Sequence, residues 1–318
     1  MKTMKKTIFL LAAAALCGSA SATILRVNNV ATVGAPYTSL GDAITAATEG
    51  DTIMVDGSST SYGNISVGKR LVIMGPGYFR SENGVIAEGA SSAITGSITF
   101  LSGSTGSIIQ GMDITGTTSV QATNVTITRC RVRYSITLIP SAANAVIHQN
   151  YFSDNGAINK DYSSSVHNTQ ITNNIFNSSA SNGGIRRIID GYIAYNTFTY
   201  PDRDNFANLT SCTLEHNIFV GNETTIDGCT FTDNYWTGMK NSSGIAIYSN
   251  RDTDKTMKDE VLSDELQAAI AGKGAFNGDA PYVISGLPAG PVIEDITVPA
   301  SVEKGQPLNI TIKLGIQK

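Results

Sequence analysis

The sequence predicts an all-β fold, a parallel β-helix with coils of about 17–24 residues, and three observations carry that expectation. The first is a repeat. Met112, Cys130, Asn150, Asn174, Asn196, Asn217 and Asn234 form a column with spacings of 18, 20, 24, 22, 21 and 17 residues. Two residues after each stands Ile114, Val132, Phe152, Phe176, Phe198, Phe219 or Trp236, and three residues before it Ile109, Ile127, Ile147, Ile171, Ile193, Leu214 or Phe231. The second is composition. Only 15% of the 318 residues are charged, while Gly, Ser, Thr and Asn abound, which suits short strands and tight turns rather than long helices. The third is the stretch YTSLGDAITAATEGDTIMV, a short amphipathic helix pattern running into a strand.

A period near 21 with only short strands in each repeat describes a solenoid whose coils stack on their neighbours. Leucine-rich repeats have a similar period, but their Leu-x-x-Leu-x-Leu pattern is missing. Stacked coils lie about 4.8 Å apart, so equivalent residues superpose and the Ile and Phe columns become apolar stacks inside the cylinder. The Asn column falls at a tight turn between two strands. Asn tolerates left-handed backbone, and its side chain carries both donor and acceptor. Stacked amides can therefore bond to one another and to the turn backbone, which makes their burial tolerable. Asn150, Asn174, Asn196, Asn217 and Asn234 are the expected rungs.

The elements follow in chain order. MKTMKK and TIFLLAAAALCG form a basic and then an apolar region, and Ala20-Ser21-Ala22 is a cleavage site, so residues 1–22 are expected to be a signal peptide removed after Ala22. Cys17 follows Leu16 rather than a small residue, which argues against lipidation there. Residues 23–250 form the β-helix with its N-terminal cap. Ser39 is the expected N-cap of a helix burying Leu40, Ala43, Ile44 and Ala47, with Gly50 as its C′ residue. Residues 251–285 are expected to be a helical cap on the far end, with Ser263 an N-cap and Gly272 a stop. Residues 286–318 hold two strands, near Val292–Val298 and Leu308–Leu314, that look like the start of an immunoglobulin-like domain but are too few for a sandwich.

These residues resemble the right-handed parallel β-helix superfamily of pectate-lyase-like proteins, on the Asn column and on the opening helix with its Gly-Asp-Thr-Ile strand. The resemblance covers about residues 24–250. It implies an N-terminal helix over the open end, an asparagine ladder at one turn, and polysaccharide held along one sheet. It also implies catalysis, where present, by clustered acids with an Arg or Lys base, and calcium only in a lyase. No other cofactor is expected.

With that implication, acids and bases on consecutive coils become the candidates. Arg186, Arg187 and Asp190 lie in GGIRRIID; Tyr200, Asp202, Arg203 and Asp204 in YPDRDNF; Lys160, Asp161 and Tyr162 in the longest insert. Arg186, Arg187, Asp190, Asp202 and Asp204 are the catalytic candidates, and Lys160, Asp161, Tyr162, Tyr200 and Arg203 the ligand-binding ones. A hydrolase needs two carboxyls flanking one bond, and a lyase needs a cation and a base. No enzyme motif surrounds these residues, so solvated loop charges are the simpler account. The three histidines form no metal motif, no Gly-x-Ser-x-Gly elbow occurs, and no metal site is expected.

Removing Lys2, Lys5 and Lys6 takes the formal charge from −4 to −7, which argues against nucleic acid. Cys130, Cys212 and Cys229 remain after processing, an odd number. Cys212 and Cys229 fall at equivalent positions in adjacent coils, where two free thiols in a small-residue slot are expected over a bond. The expectation is a monomeric exported protein, periplasmic, secreted or on the cell surface, that binds polysaccharide without strong catalysis. The alternatives are a lyase or glycosidase for an acidic glycan, and an adhesin or scaffold whose C-terminal strands engage a protein.

Overall fold

The computed structural model describes residues 22–79, 92–160, 163–178, 184–199, 204–219, 222–236, 253–259, 262–288, 290–299, 301, 305 and 307–317. The leader with Cys17, and Asp161, Tyr162, Tyr200, Asp202 and Arg203, lie outside the described residues, and of Asp204 only the backbone is described.

The chain winds into a parallel β-solenoid of about seven turns. Sheet one has ten parallel strands, from Ile24–Val27 through Thr126–Thr128, Val146–His148 and Gln170–Thr172 to Thr230–Thr232. Sheet two has eight, from Ala93–Thr95 to Tyr235–Trp236. Sheet three runs from Ile65–Val67 to Asn222–Asp227. The register is that of the sequence repeat: Ile109, Ile127, Ile147, Ile171, Ile193, Leu214 and Phe231 pair in succession. From Ile109 to Leu214 this column is fully buried, and only the terminal Phe231 is exposed. Phe152, Phe176 and Phe198 stack face to face with centroids 4.3 and 4.4 Å apart, because parallel in-register strands repeat at nearly the aromatic stacking distance.

The ladder forms. Asn174 Nδ2 donates to Ile147 O at 2.9 Å and to Asn196 Oδ1 at 3.0 Å. Its Oδ1 accepts from Asn150 N at 2.9 Å and from Asn150 Nδ2 at 3.0 Å. Asn196 and Asn217 repeat the pattern, and Asn234 receives it at the end. Cys130 N donates to Asn150 Oδ1 at 3.0 Å, so the ladder starts where a thiol replaces the amide. One detail differs from expectation. The left-handed residue is the one before each position of the column: Gly111, Arg129, Gln149, Asn173, Tyr195, His216 and Asp233 all have positive φ. The amide is conserved in position because its side chain closes the turn from inside; the backbone strain falls on its neighbour, whose side chain points outward.

Helix α1 (Leu40–Ala46) starts at Ser39, whose Oγ accepts from Asp42 N. It buries Leu40, Ala43 and Ile44, with Ala47, in the same core as the first coils, protecting that edge from pairing. Its C-cap is Ala47 in extended backbone, so Gly50 is not the C′ residue. Gly50, with φ 92°, belongs instead to the next turn, where Asp51 accepts from Thr23 N, Thr48 N and Thr48 Oγ1.

The C-terminal segment lies along the flank of the solenoid rather than over its end. It has two short helices, α2 (Asp254–Lys258) and α3 (Asp264–Ile270), the latter capped by Ser263 Oγ accepting from Leu266 N and followed by Gly272 at φ 73°. Sheet two explains the position. Its outward residues Tyr151, Ile175 and Ile218 are apolar, and they form a second core with Tyr78, Phe79, Met257, Leu266, Ala275 and Tyr282. After α3, residues 273–287 run back along the ladder turn as a strap. Beyond it, Gly290–Thr297 and Thr311–Gln317 form an antiparallel hairpin, shifted by two to three residues from the strands expected there.

Candidate functional site

The outward column of left-handed residues is what the strap reads. Asn173 Nδ2 donates to Ala275 O and Asn277 O, at 3.2 and 2.8 Å. Gln149 Nε2 donates to Ala280 O and Pro281 O, at 3.2 and 2.6 Å. Arg129 Nη1 donates to Leu287 O at 3.1 Å. Two coils before Arg129, Tyr78 N donates to Ser285 O at 2.7 Å. At the other end Gly274 N donates to His216 O, and Lys273 pairs with Asp233 at 3.1 Å. A buried group locks the near end: Asp254 Oδ2 accepts from Tyr282 O–H at 2.9 Å and from Ser285 N at 2.5 Å, and the Tyr282 and Tyr78 hydroxyls share a hydrogen bond. Burial first, and the Asp254 charge second, push both phenols well above their ordinary values, so they stay protonated. Gly286, at φ 56°, fits because a Cβ there would meet Arg129 O at 2.3 Å.

Between the strap and the outer face of sheet one opens a cleft of about 840 Å³. Its floor is Gln110, Thr126, Thr128 and His148 from successive strands, with Ile108 and Val146 beside them; Arg129 and Gln149 stand at the turn; Pro281, Val283, Ile284 and Leu287 form the far wall, with Lys258 and Asp279 also lining it. The alternation of the strands makes this floor. Their inward residues are the buried Ile column, so Thr, Gln and His face out.

The titratable groups here have distinct states. His148 Nδ1 shares a 2.8 Å hydrogen bond with Thr172 Oγ1. Burial pulls the imidazole from 6.5 to about 4, and the Arg129 charge pulls the same way against the lift from Thr172. His148 is therefore neutral near pH 7. Arg129 is 92% buried, being 8% exposed, and its Nε donates to Gln149 Oε1 at 2.8 Å. Burial lowers its pKa, with only Tyr78 opposing. Among the described residues no carboxylate comes within ion-pair distance of it.

The residues singled out in the sequence sit elsewhere, on sheet three. Gly184–Arg186 and Ile188–Ile189 both pair with the long strand Asp204–Thr210, and Arg187, at φ 55°, is the kink between them. Arg186 is buried. Arg187 Nη1 reaches Asn159 O at 3.5 Å. Asp190 is exposed beside His167, at 3.4 Å. Lys160 Nζ lies 5.3 Å from the centroid of the Tyr134 ring. Asp190 N bonds to Thr210 O, six residues along the strand from Asp204, or about 20 Å at about 3.3 Å per residue. Two carboxyls flanking a glycosidic bond stand roughly 5–9.5 Å apart, much less than the separation of these two backbones.

The sequence reading missed one charged cluster. On the outer face of sheet two Asp113 accepts from Arg133 at 2.8 and 2.6 Å. Arg131 bridges Asp113 and Asp154 at 4.0 and 3.9 Å and lies over the Phe79 ring. The register of the repeat already aligned Asp113 with Arg131; the facing Phe79 and Asp154 come from turns that carried no pattern. Cys130, Cys212 and Cys229 are free thiols. Cys212 N reaches Cys229 Sγ at 3.4 Å, which bears out the stacked slot, although Cys229 is half-buried rather than buried. Among the described residues no group of three or more His, Cys, Asp or Glu is placed to hold a metal, and no helix is long and apolar enough to cross a membrane.

No model of a known protein family matches the chain, and no curated protein matches its sequence. The fold and its ladder therefore define the class, a parallel β-helix protein with an asparagine ladder and a C-terminal strap.

Proposed function

We propose that the protein is an exported β-helix of the pectate-lyase-like kind that binds carbohydrate in the cleft between sheet one and the strap. The observation that carries this reading is the lining of that cleft. Its floor presents hydroxyl, amide and imidazole groups, and its far wall is aliphatic, which matches a sugar ring with polar edges and an apolar face. Its volume is within the range of small-ligand sites, about 300–1,000 Å³. Among the described residues Asp279 is the single acid lining it, which favours binding over two-carboxylate hydrolysis. The leader, with its basic region, apolar region and Ala-x-Ala site, supports export to the periplasm, the cell surface or the medium.

The test is a glycan-array screen of the mature chain, followed by calorimetric titration of the hits against a Gln110→Ala, Thr128→Ala double variant. Binding that weakens at least tenfold in the variant supports the reading. Binding unaffected by the variant, or no binding, refutes it. Hits are also followed by absorbance for unsaturated products, whose appearance would favour a lyase.

A further inference from the structure

We infer that the cleft holds one carboxylate group of its ligand on Arg129, so that the ligand is a sugar or short oligosaccharide with a single acidic function and an otherwise neutral body. This rests on the reading of the cleft as the binding site and specifies what enters it.

The argument starts from the cost of a buried cation. A charge taken out of water is tolerated when an opposite charge and satisfied donors replace the solvent. Arg129 is almost wholly buried, yet its hydrogen-bond partners are two neutral oxygens, Gln149 Oε1 and Leu287 O. Asp113, Asp154 and Asp233 elsewhere on the solenoid are each within ion-pair reach of a cation; Arg129 is a buried guanidinium with no such acid among the described residues. Its Nη2 has no hydrogen bond to the described residues, while Nε and Nη1 are fixed at both ends. A guanidinium held in one orientation with an open N–H edge is the geometry that binds a carboxylate in a charge-assisted fork.

The turn leaves the choice of side chain open. Arg129 adopts φ 52°, as Gln149, Asn173, Tyr195 and His216 adopt φ 53–56° at the same position in later coils. Gly111, one coil earlier, fills the same turn position with φ 67°, so the turn itself does not require an arginine.

The surroundings limit the charge of the ligand to one. Lys258, exposed and without a partner among the described residues, lines the same cleft and adds attraction at its rim, whereas Asp279 lines it too and repels a second anion. The walls beside Arg129 are aliphatic, and the floor offers neutral Thr, Gln and His148. A polyanionic chain would also face the net charge of −7 expected for the mature protein. A neutral body with one carboxylate meets all of these conditions.

The experiment compares matched ligands by calorimetric titration on the mature chain: a trisaccharide ending in one carboxylated sugar, the same trisaccharide with that carboxyl reduced to an alcohol, and sodium acetate. The expected result is at least tenfold tighter binding of the acid than of the alcohol, falling with added salt. Arg129→Gln abolishes that discrimination, Arg129→Lys restores part of it, and Lys258→Gln weakens binding a few-fold with an unchanged melting temperature. Equal binding of acid and alcohol overturns the inference while leaving the carbohydrate reading standing. Acetate competing as well as the acid, with no binding of the alcohol, upholds the carboxylate site and removes the carbohydrate reading. Retained discrimination in folded Arg129→Gln overturns the inference, and no binding of any of the three overturns both.

Discussion

Replacing Asn174 with leucine tests the ladder as the device that makes the turn tolerable. Leucine has a similar size, so packing changes little, but four hydrogen bonds go: two donated by Nδ2, to Ile147 O and Asn196 Oδ1, and two accepted by Oδ1, from Asn150 N and Asn150 Nδ2. The losses are unequal. Asn150 Nδ2 keeps Ile127 O, and Asn196 Oδ1 keeps Asn174 N. Asn150 N keeps no partner in the ladder, and Asn150 is fully buried. An orphaned buried donor costs about 1–3 kcal/mol, and each bond lost from a group that keeps another partner roughly 0.5 kcal/mol. The sum is about 3 kcal/mol, or about 6–12 °C in melting temperature for a domain near this size. Asn234→Leu is the internal control. Asn234→Leu also takes the acceptor of a buried residue's backbone donor, Asn217 N, but Asn234 ends the column and is only half-buried, so water reaches the site and the cost is smaller, about 1 kcal/mol. The assay is urea unfolding followed by far-UV circular dichroism. A change below about 0.5 kcal/mol at Asn174, or equal losses at the two sites, refutes the reasoning.

Phe176→Ala removes the middle ring of a stack of three, and about 3–5 kcal/mol should be lost on denaturant unfolding. His148 gives a pH dependence of definite sign: its folded pKa of about 4 lies below its ordinary 6.5, so its contribution is complete above pH 6.5 and is lost as pH falls toward 4. The wild type should therefore lose stability relative to His148→Gln over that window, by at most about 3 kcal/mol, in matched unfolding curves; parallel curves count against a buried neutral imidazole. Gly286→Ala should unseat the strap, since φ 56° disfavours a side chain and its Cβ would overlap Arg129 O; protease cleavage between residues 273 and 287 should quicken while the solenoid persists. Thiol titration of the mature chain should show Cys229 reacting first, with Cys130 and Cys212, pushed by burial to about 12 and about 11, reacting only on unfolding.

The solenoid was legible in the sequence because each coil repeats one environment. Ile147, Asn150 and Phe152 recur in Ile171, Asn174 and Phe176 at fixed offsets, and parallel in-register stacking turns those offsets directly into contacts. The cap on α1 was legible for the same local reason, a Ser three residues before an Asp. The cleft was not. Arg129 and Gln149 vary within the column that precedes the amides, so they looked like noise around the repeat. Their partners, Leu287 and Pro281, lie 158 and 132 residues away, in a segment with no periodicity to mark where it docks. Attention went instead to charged loops such as GGIRRIID, whose local density of Arg and Asp says nothing of direction: Arg186 turns into the sheet, while Asp190 turns out toward His167.

The two halves of the structure nevertheless share one cause. Each turn puts the residue before the ladder position into left-handed backbone, whether that position holds Asn, Cys130 or Met112, and that residue then projects from the solenoid at every coil. The result is an outward column with one side chain per rung, free to vary because the ladder holds the turn whatever stands there. The chain uses that freedom to write a docking sequence. Asn173 and Gln149 offer amides to strap carbonyls, Gly111 leaves room where Gly77 and Gly75 approach, and Arg129 adds a charge to the lining of the cleft. Swapping Gln149 and Asn173 for alanine should therefore loosen the strap without disturbing the ladder, because the side chains of Asn150 and Asn174 bond to one another, to Asn196 and to the backbone of the neighbouring coils. Amide exchange that quickens at residues 275–286 while the ladder amides stay protected is the signature of that separation. Joint loss of protection in both would mean that strap and turn are one structural unit, and that the column cannot vary independently of the rungs.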